Sequence, residues 1–260
     1  MKPPVTGVQL YTLRNHTKTA EDFCKTLAWL AKKGVRDIQI SAIGPTITPL
    51  QQKEALDRYH MRVCVTHQNF DRLKNNLDAV IEAHKRIGCG DVGLGYAPDG
   101  ERTDENTARA FVKTLGEIAQ MLRENGLRFH YHNHAFEFAP LPGSDKTLMD
   151  LILRETDPNS VGFIADVAWI RYAGLDPTDF LRQHAERIKV VHFKDYVLNE
   201  DGSPRFVSLG QGKVDLQACY EVCCEKEIPF IMYEQDSGWV NDDPFLATQE
   251  SLEFFKTLRI

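Results

Sequence analysis

The sequence predicts a (β/α)8 or TIM barrel, an α/β fold closed by eight parallel strands, with residues 1–260 forming a single domain. Three observations carry this expectation. Eight apolar, β-branched-rich runs alternate with amphipathic stretches, and their starts lie about 25 to 40 residues apart, the length a βα unit needs. Glycine closes several helices and a strand follows within a few residues, so helix-to-strand links are short and strand-to-helix links are often longer. That asymmetry suits a barrel whose functional loops follow the strands. The rival is an open doubly wound sheet, which usually carries a glycine-rich phosphate turn after its first strand. Here Gly7-Val-Gln-Leu-Tyr-Thr-Leu-Arg14 holds no such turn.

In chain order the strand-like runs are Val5–Tyr11, Val35–Ile40, Met61–Thr66, Asp91–Tyr96, Leu127–His132, Val161–Asp166, Ile188–Phe193 and Ile228–Glu234. Between them, Thr19–Lys33 places Phe23, Leu27, Leu30 and Ala31 on one helical stripe. Phe70–Ile87 reads as one helix through Leu73, Leu77, Val80, Ile81 and Ala83, and Glu105–Glu124 through Phe111, Leu115, Ile118 and Leu122. Gly34, Gly88 and Gly126 stand just beyond helix ends, where a left-handed cap costs least. Asp176-Pro177 and Asp243-Pro244 put an N-cap acid before a first-turn proline. Two loops stand out: Asp195–Val214, long and turn-rich enough to cover the barrel mouth, and Ser237–Asp243, where Trp239 can wall a pocket.

The apolar fraction of 42% and charged fraction of 26% are those of a soluble globular protein. A formal charge of −6 argues against nucleic acid or an anionic membrane as main partner. Met-Lys-Pro-Pro-Val at the start lacks a signal peptide's apolar run, and no window approaches the ~18 apolar residues of a membrane span, so a cytoplasmic location is expected. The six cysteines are scattered without a CxxC pair; Cys219, Cys223 and Cys224 lie on a helical pattern and read as packing residues.

Chemistry concentrates where strands end. His130, His132 and His134 alternate along Leu127–Phe138, so their imidazoles are expected to project together near a strand terminus, with Glu137 following in a loop. The next three strands also end on metal-type ligands, Asp166, His192 and Glu234. Burying such groups without partners costs several kcal/mol each, and one shared divalent cation would compensate all four. Nitrogen and carboxylate ligands without thiolate suit Mn²⁺, Zn²⁺, Co²⁺ or Fe²⁺ better than Ca²⁺, with Mg²⁺ also admissible. Other polar residues at strand ends are Gln9, Tyr11, Gln39, Ser41, His67, Lys194 and Asp236.

Gly7-Val-Gln-Leu-Tyr, Tyr131-His-Asn-His-Ala-Phe-Glu-Phe, Asp166, Val190-Val-His-Phe-Lys-Asp and Tyr233-Glu together resemble the xylose isomerase-like barrel superfamily over nearly the whole chain. The match is closest to its sugar phosphate isomerases/epimerases, relatives of inosose dehydratase, ketose 3-epimerases and endonuclease IV. The resemblance implies one divalent metal held by Glu, Asp, His and Glu on strands five to eight. Asp166, His192 and Glu234 fit the last three positions, whereas His132 stands where Glu is usual. A two-glutamate acid/base mechanism therefore does not carry over directly, and inosose dehydratase-like relatives share a His-rich fifth strand. Glu137 is a candidate for the absent carboxylate, and Trp169 occupies a position where many relatives carry His.

The leading expectation is a metal-dependent isomerase or epimerase of a small sugar or keto-sugar, working by proton abstraction next to a carbonyl and a metal-stabilised enediolate. Glu234 is the candidate base, with His132 or Lys194 returning or relaying the proton. Lys194 can instead hold an oxyanion or pair with Asp195. Gln9, Tyr11, His67, His134, Glu137 and Trp239 are candidate substrate contacts. The second expectation is a dehydratase or lyase of a polyol-derived ketone, and the third a carbohydrate-binding barrel without turnover. The substrate is expected to be a non-phosphorylated sugar or polyol derivative, and a homo-oligomer is usual among relatives. The acidic chain offers too few ligands for the three-metal cluster of endonuclease IV.

Overall fold

Val161–Asp166, Ile188–Phe193 and Phe230–Tyr233 read as nearly unbroken apolar runs, as strands covered on both faces do, whereas Asp37–Ile40 and Arg128–His132 alternate apolar residues with buried polar ones, Gln39, His130 and His132. The computed structural model, which describes residues 2–260, closes eight strands into a parallel ring. The strands are β1 (Val5–Gln9), β2 (Asp37–Ile40), β3 (Arg62–Gln68), β4 (Asp91–Leu94), β5 (Arg128–His132), β6 (Val161–Asp166), β7 (Ile188–Phe193) and β10 (Phe230–Tyr233). The ring closes where Val5–Val8 pairs with Phe230–Tyr233, and β8 (Asp195–Leu198) and β9 (Pro204–Val207) form a separate antiparallel hairpin. Around the ring run α1 (Ala20–Lys32), α2 (Pro49–Arg58), α3 (Phe70–Asn75), α4 (Leu77–Ile87), α5 (Glu105–Glu124), α6 (Leu148–Glu155), α7 (Val167–Tyr172), α8 (Pro177–His184), α9 (Leu216–Glu225) and α10 (Pro244–Phe255). Among the described residues no helix is long and apolar enough to cross a membrane.

The helices begin and end where their caps dictate. Thr19 accepts from the Asp22 N–H, Asp176 from Thr178 and Asp243 from Phe245, while Gly34, Gly88 and Gly126 adopt φ of 86°, 72° and 78°. The expected single helix over 70–87 is instead two. Asn76 leaves the helical region (φ −141°, ψ 39°), because Asn75-Asn76 and the preceding lysine supply no apolar contact to hold the turn. The first and last strands are also shorter than expected: after Gln9 the chain winds into a tight helix, Leu10–His16, which carries Tyr11. The cysteines of α9 are buried and all six are free thiols.

The stretch 195–214 is ordered rather than irregular. Asp195 accepts N–H bonds from Gly210, Gly212 and Val214 at 3.1, 2.8 and 3.1 Å, which ties the hairpin base to the barrel. Phe206 packs edge-on against Trp169 (5.4 Å between centroids) and Tyr196 against Tyr172 (5.7 Å), so the hairpin walls one side of the mouth.

His130 departs from its expected position. It shares the inward face with His132 but lies a layer deeper, where Nε2 meets Asp91 at 2.7 Å and Lys189 closes on the same carboxylate at 3.1 Å. This polar layer plugs the lower end of the barrel, since side chains two apart on tilted strands fill successive layers.

Gly7 is needed where β1 crosses β2. A Cβ there would stand 2.1 Å from the Asp37 carbonyl oxygen and 2.8 Å from the Met232 sulfur. Gly7→Ala is expected to destabilise the fold by about 3 kcal/mol through overpacking, read as a lower urea midpoint with an unchanged slope.

Candidate metal centre

Each barrel strand delivers the side chain at its C-terminal end to the mouth. β5, β6, β7 and the residue after β10 thereby bring His132, Asp166, His192 and Glu234 together, with one ligand atom from each within 4.8 Å of the others. His132 Nε2 lies 3.6 Å from Asp166 Oδ2 and 4.0 Å from Glu234 Oε2. His192 Nδ1 lies 3.9 and 3.0 Å from the same two oxygens. All four residues are buried, and none of the four converging atoms has a hydrogen-bond partner of proper geometry. Buried polar atoms are normally satisfied. Two imidazole nitrogens and two carboxylate oxygens left open toward one point fit a divalent cation.

In His192, His132 and Asp166 the remaining side-chain atoms are committed. His192 Nε2 donates to Gln39 Oε1 (2.7 Å) and His132 Nδ1 donates to the Gly95 carbonyl (3.0 Å), so each ring turns its lone pair toward the cluster. Asp166 Oδ1 accepts the N–H groups of Ala168 and Trp169 at the start of α7, leaving Oδ2 free. The Asn133 side chain clamps the Asp166 backbone by accepting its N–H at 3.0 Å.

Lys194 enters from the residue after β7. Its Nζ lies 2.8 Å from Glu234 Oε2 and 3.1 Å from both Asp166 and Asp236, at angles that leave the first two oxygens without a directed bond. The alternative pairing with Asp195 is not made, because that carboxylate faces the hairpin amides. Burial works against the Lys194 charge, yet the carboxylates of Asp166, Asp236 and Glu234 raise its pKa well above the usual lysine value. Burial likewise opposes ionisation of Asp166, but Lys194 and His132 bring it to about 2. Glu234 is held well below the carboxylate range by Lys194 and His192 against its burial.

The other expected site residues separate into two groups. His67, His134 and Tyr11 line a cavity of about 720 Å³ that opens beside the cluster, together with Lys194, Glu234 and Asp236. Burial holds His67 well below the normal imidazole value and His134 at about 3, so both stay neutral. Gln9, Glu137 and Trp239, also expected as substrate contacts, are not among the residues that line this cavity. Gln9 is fully buried behind His67 and contacts its Nδ1 at 3.4 Å, which leaves the His67 Nε2 turned away from it without a partner. Trp239 folds back to donate its indole N–H to the Gln235 carbonyl (3.3 Å). Glu137 accepts from the Tyr131 hydroxyl and the His134 N–H, each at 2.7 Å, and contributes no atom to the cluster. Gln39's bond to His192 and the Lys194–Asp236 pair went unassigned in the sequence, although both residues stand at strand ends.

Glu137 links this architecture to pH. Burial raises its carboxyl to about 7, against the pull of its two hydrogen bonds. The folded chain therefore binds this proton more tightly than the unfolded one, so the contribution is full below the unfolded carboxylate value and is lost as pH rises toward 7. Wild-type stability relative to Glu137→Gln is expected to fall by about 3 kcal/mol between pH 4.5 and 7.5, measured by urea unfolding across that range; parallel profiles would contradict it. For the cluster, Gln39→Leu is expected to weaken Mn²⁺ binding about 10- to 100-fold by freeing the His192 ring, checked by calorimetric titration.

Comparison with known proteins places this geometry among relatives. The family model described as xylose isomerase-like TIM barrel matches residues 5–258. An inosose dehydratase from Geobacillus kaustophilus (strain HTA426) is 33% identical over 95 residues, which are 36% of this chain and 30% of that relative. The matched segment thus spans well under two thirds of the relative's length. A solved sugar phosphate isomerase/epimerase from Parabacteroides distasonis ATCC 8503 superposes with a TM-score of 0.83 at 19% identity, covering 99% of this chain and 97% of that one. A D-allulose 3-epimerase from Methylomonas sp. gives 0.69 at 15% identity, covering 98% of each. At these identities the likeness to the two structures concerns the fold.

Proposed function

The chain belongs to the xylose isomerase-like TIM barrel family, and from that premise we propose that it is a metal-dependent enzyme removing a proton from the carbon beside the carbonyl of a small sugar or polyol-derived ketone. The observation that carries this reading is the convergence of His132, Asp166, His192 and Glu234 on one point, each with an open ligand atom. A divalent cation there supplies Lewis-acid polarisation of the substrate carbonyl.

The residues divide the remaining work. Glu234, ionised and lining the cavity, is assigned the role of base through the carboxylate oxygen not turned to the cluster. Lys194 stays charged among three carboxylates, so it stabilises negative charge on a substrate oxygen rather than relaying a proton. His132 has one nitrogen bound to Gly95 and the other at the cluster, which suits a ligand better than a shuttle. His67 and His134 offer neutral imidazole edges to substrate hydroxyls.

This set supports loss of a β-hydroxyl, a dehydration, ahead of epimerisation; isomerisation through an enediol also needs only one base, and it is the similarity to inosose dehydratase that puts dehydration first, reversing the order expected from sequence. Elimination can run on one group, with Glu234 taking the α-proton and returning it to the departing β-hydroxyl so that water leaves as the C=C forms, whereas epimerisation needs a second group on the opposite side of the carbon. Glu137 does not serve, being committed to Tyr131 and the His134 amide. Isomerisation or epimerisation is the second reading, and epimerisation rests on Asp236, which lines the cavity and whose pKa burial raises.

Incubating the Mn²⁺-loaded protein with inosose, D-fructose and D-allulose in D₂O separates these outcomes. Dehydration predicts an unsaturated product that requires Glu234 and survives Asp236→Asn. Deuterium entering recovered sugar without loss of water would favour isomerisation or epimerisation, the latter lost in Asp236→Asn. Neither exchange nor elimination would favour a carbohydrate-binding barrel without turnover.

A further inference from the structure

The cavity beside the metal-type cluster extends beyond the barrel mouth. From Glu234 and His132 it passes His67 and continues to residues of α2, α4 and the segment after β2. Its volume of about 720 Å³ exceeds what one sugar ring fills and lies within the ~300–1,000 Å³ that serves drug-sized ligands. Two ends of one cavity differ in their chemistry.

At the cluster end, polar atoms wait for partners. His67 Nε2 and His134 Nδ1 are buried, unpaired and carried by residues that line the cavity, beside the four open ligand atoms. At the far end several polar groups satisfy one another. The Thr66 hydroxyl meets His84 Nε2 at 2.8 Å, His84 Nδ1 meets the Val80 carbonyl at 2.7 Å, and Gln68 Nε2 donates to the Thr66 hydroxyl at 3.0 Å. Gln52 donates to the Ile47 carbonyl at 3.1 Å, and Thr48 is held in a capping box with Gln51. The wall between these pairs is apolar, formed by Ile40, Ile43, Ile47, Pro49, Ala83 and Ile87. Arg72 is exposed to solvent at this end, so a charged group beside it would remain hydrated. A hydroxylated group set against that apolar wall would lose water without regaining hydrogen bonds from it. An apolar group would gain by leaving water.

We infer that the ligand is amphipathic: a polyhydroxylated head at the metal-type cluster bearing an aryl or alkyl substituent that lies between α2 and α4. The head's location rests on the proposed function, whereas the apolar lobe is independent of whether a metal binds. Ala83 is the small residue of α4 that keeps the lobe open, and Ala83→Leu should fill it.

The test titrates phenyl and methyl β-D-glucopyranosides and the matching galactopyranosides, with glucose 6-phosphate as the anionic comparison. Wild type and Ala83→Leu are measured by calorimetry with and without Mn²⁺, and thermal melts check that the variant folds. At least one phenyl glycoside is expected to bind about tenfold or more tightly than its methyl counterpart in the wild type, and Ala83→Leu is expected to remove that difference. Equal affinities, no binding by any glycoside, a preference for glucose 6-phosphate, or a phenyl preference that survives in a folded Ala83→Leu would each overturn the inference. Mn²⁺ uptake by the same samples distinguishes the two readings: a chain that takes no Mn²⁺ yet prefers phenyl glycosides loses the metal assignment and keeps the lobe.

Discussion

The convergence of four ligand-type atoms on one buried point, none with a directed hydrogen bond, is the constraint around which the barrel mouth is arranged. Each open atom is costly, because a buried polar group without a partner forfeits the hydrogen bonds it had in water. Charge sharpens the point. Asp166, Glu234 and Asp236 bring three carboxylates to Lys194's one ammonium, and with all ionised the sum is −3 + 1 = −2, which one divalent cation would balance. Lys194 offsets part of the repulsion and holds two of the acids far below their ordinary pKa. The neutral imidazoles of His67 and His134 add donors without adding charge.

The fold meets that constraint through depth as much as direction. Inward-facing residues of β5 serve two layers: His130 joins the Asp91–Lys189 plug below, and His132 reaches the cluster above. Outside the cluster, Gln39, the Gly95 carbonyl and the first amides of α7 each occupy the side-chain atom that His192, His132 and Asp166 do not turn inward, and Asn133 holds the Asp166 backbone. Those partners come from β2, the segment after β4, the segment after β5 and α7, so the cluster depends on the closed ring and not on any one strand. The hairpin of β8 and β9 completes one wall by laying Phe206 against Trp169.

Much of this was legible in sequence because the signals were local. Helix caps such as Thr19 and Asp243, the glycines after α1, α4 and α5, and strand-terminal ligands at 132, 166, 192 and 234 are read within a few residues. Parity identified the face of His130 but not its layer, since depth depends on strand tilt and on Asp91 and Lys189 from other strands. Lys194's triple pairing was hidden for the same reason: its partners lie 28, 40 and 42 positions away along the chain. The break at Asn76 was missed because apolar spacing continues across it, while the local loss of helical geometry comes from backbone torsions at one asparagine. The lobe between α2 and α4 has no sequence signature at all, because helix packing creates it.

The central claim is that His132, Asp166, His192 and Glu234 hold one divalent ion, and its most direct measurement is the metal content of protein purified without chelator and then equilibrated with saturating Mn²⁺ or Zn²⁺. The account predicts about one tightly held ion per chain in the wild type and none in a folded Asp166→Ala. A wild-type chain that stays metal-free under both ions, or an Asp166→Ala chain that keeps its ion, would contradict it.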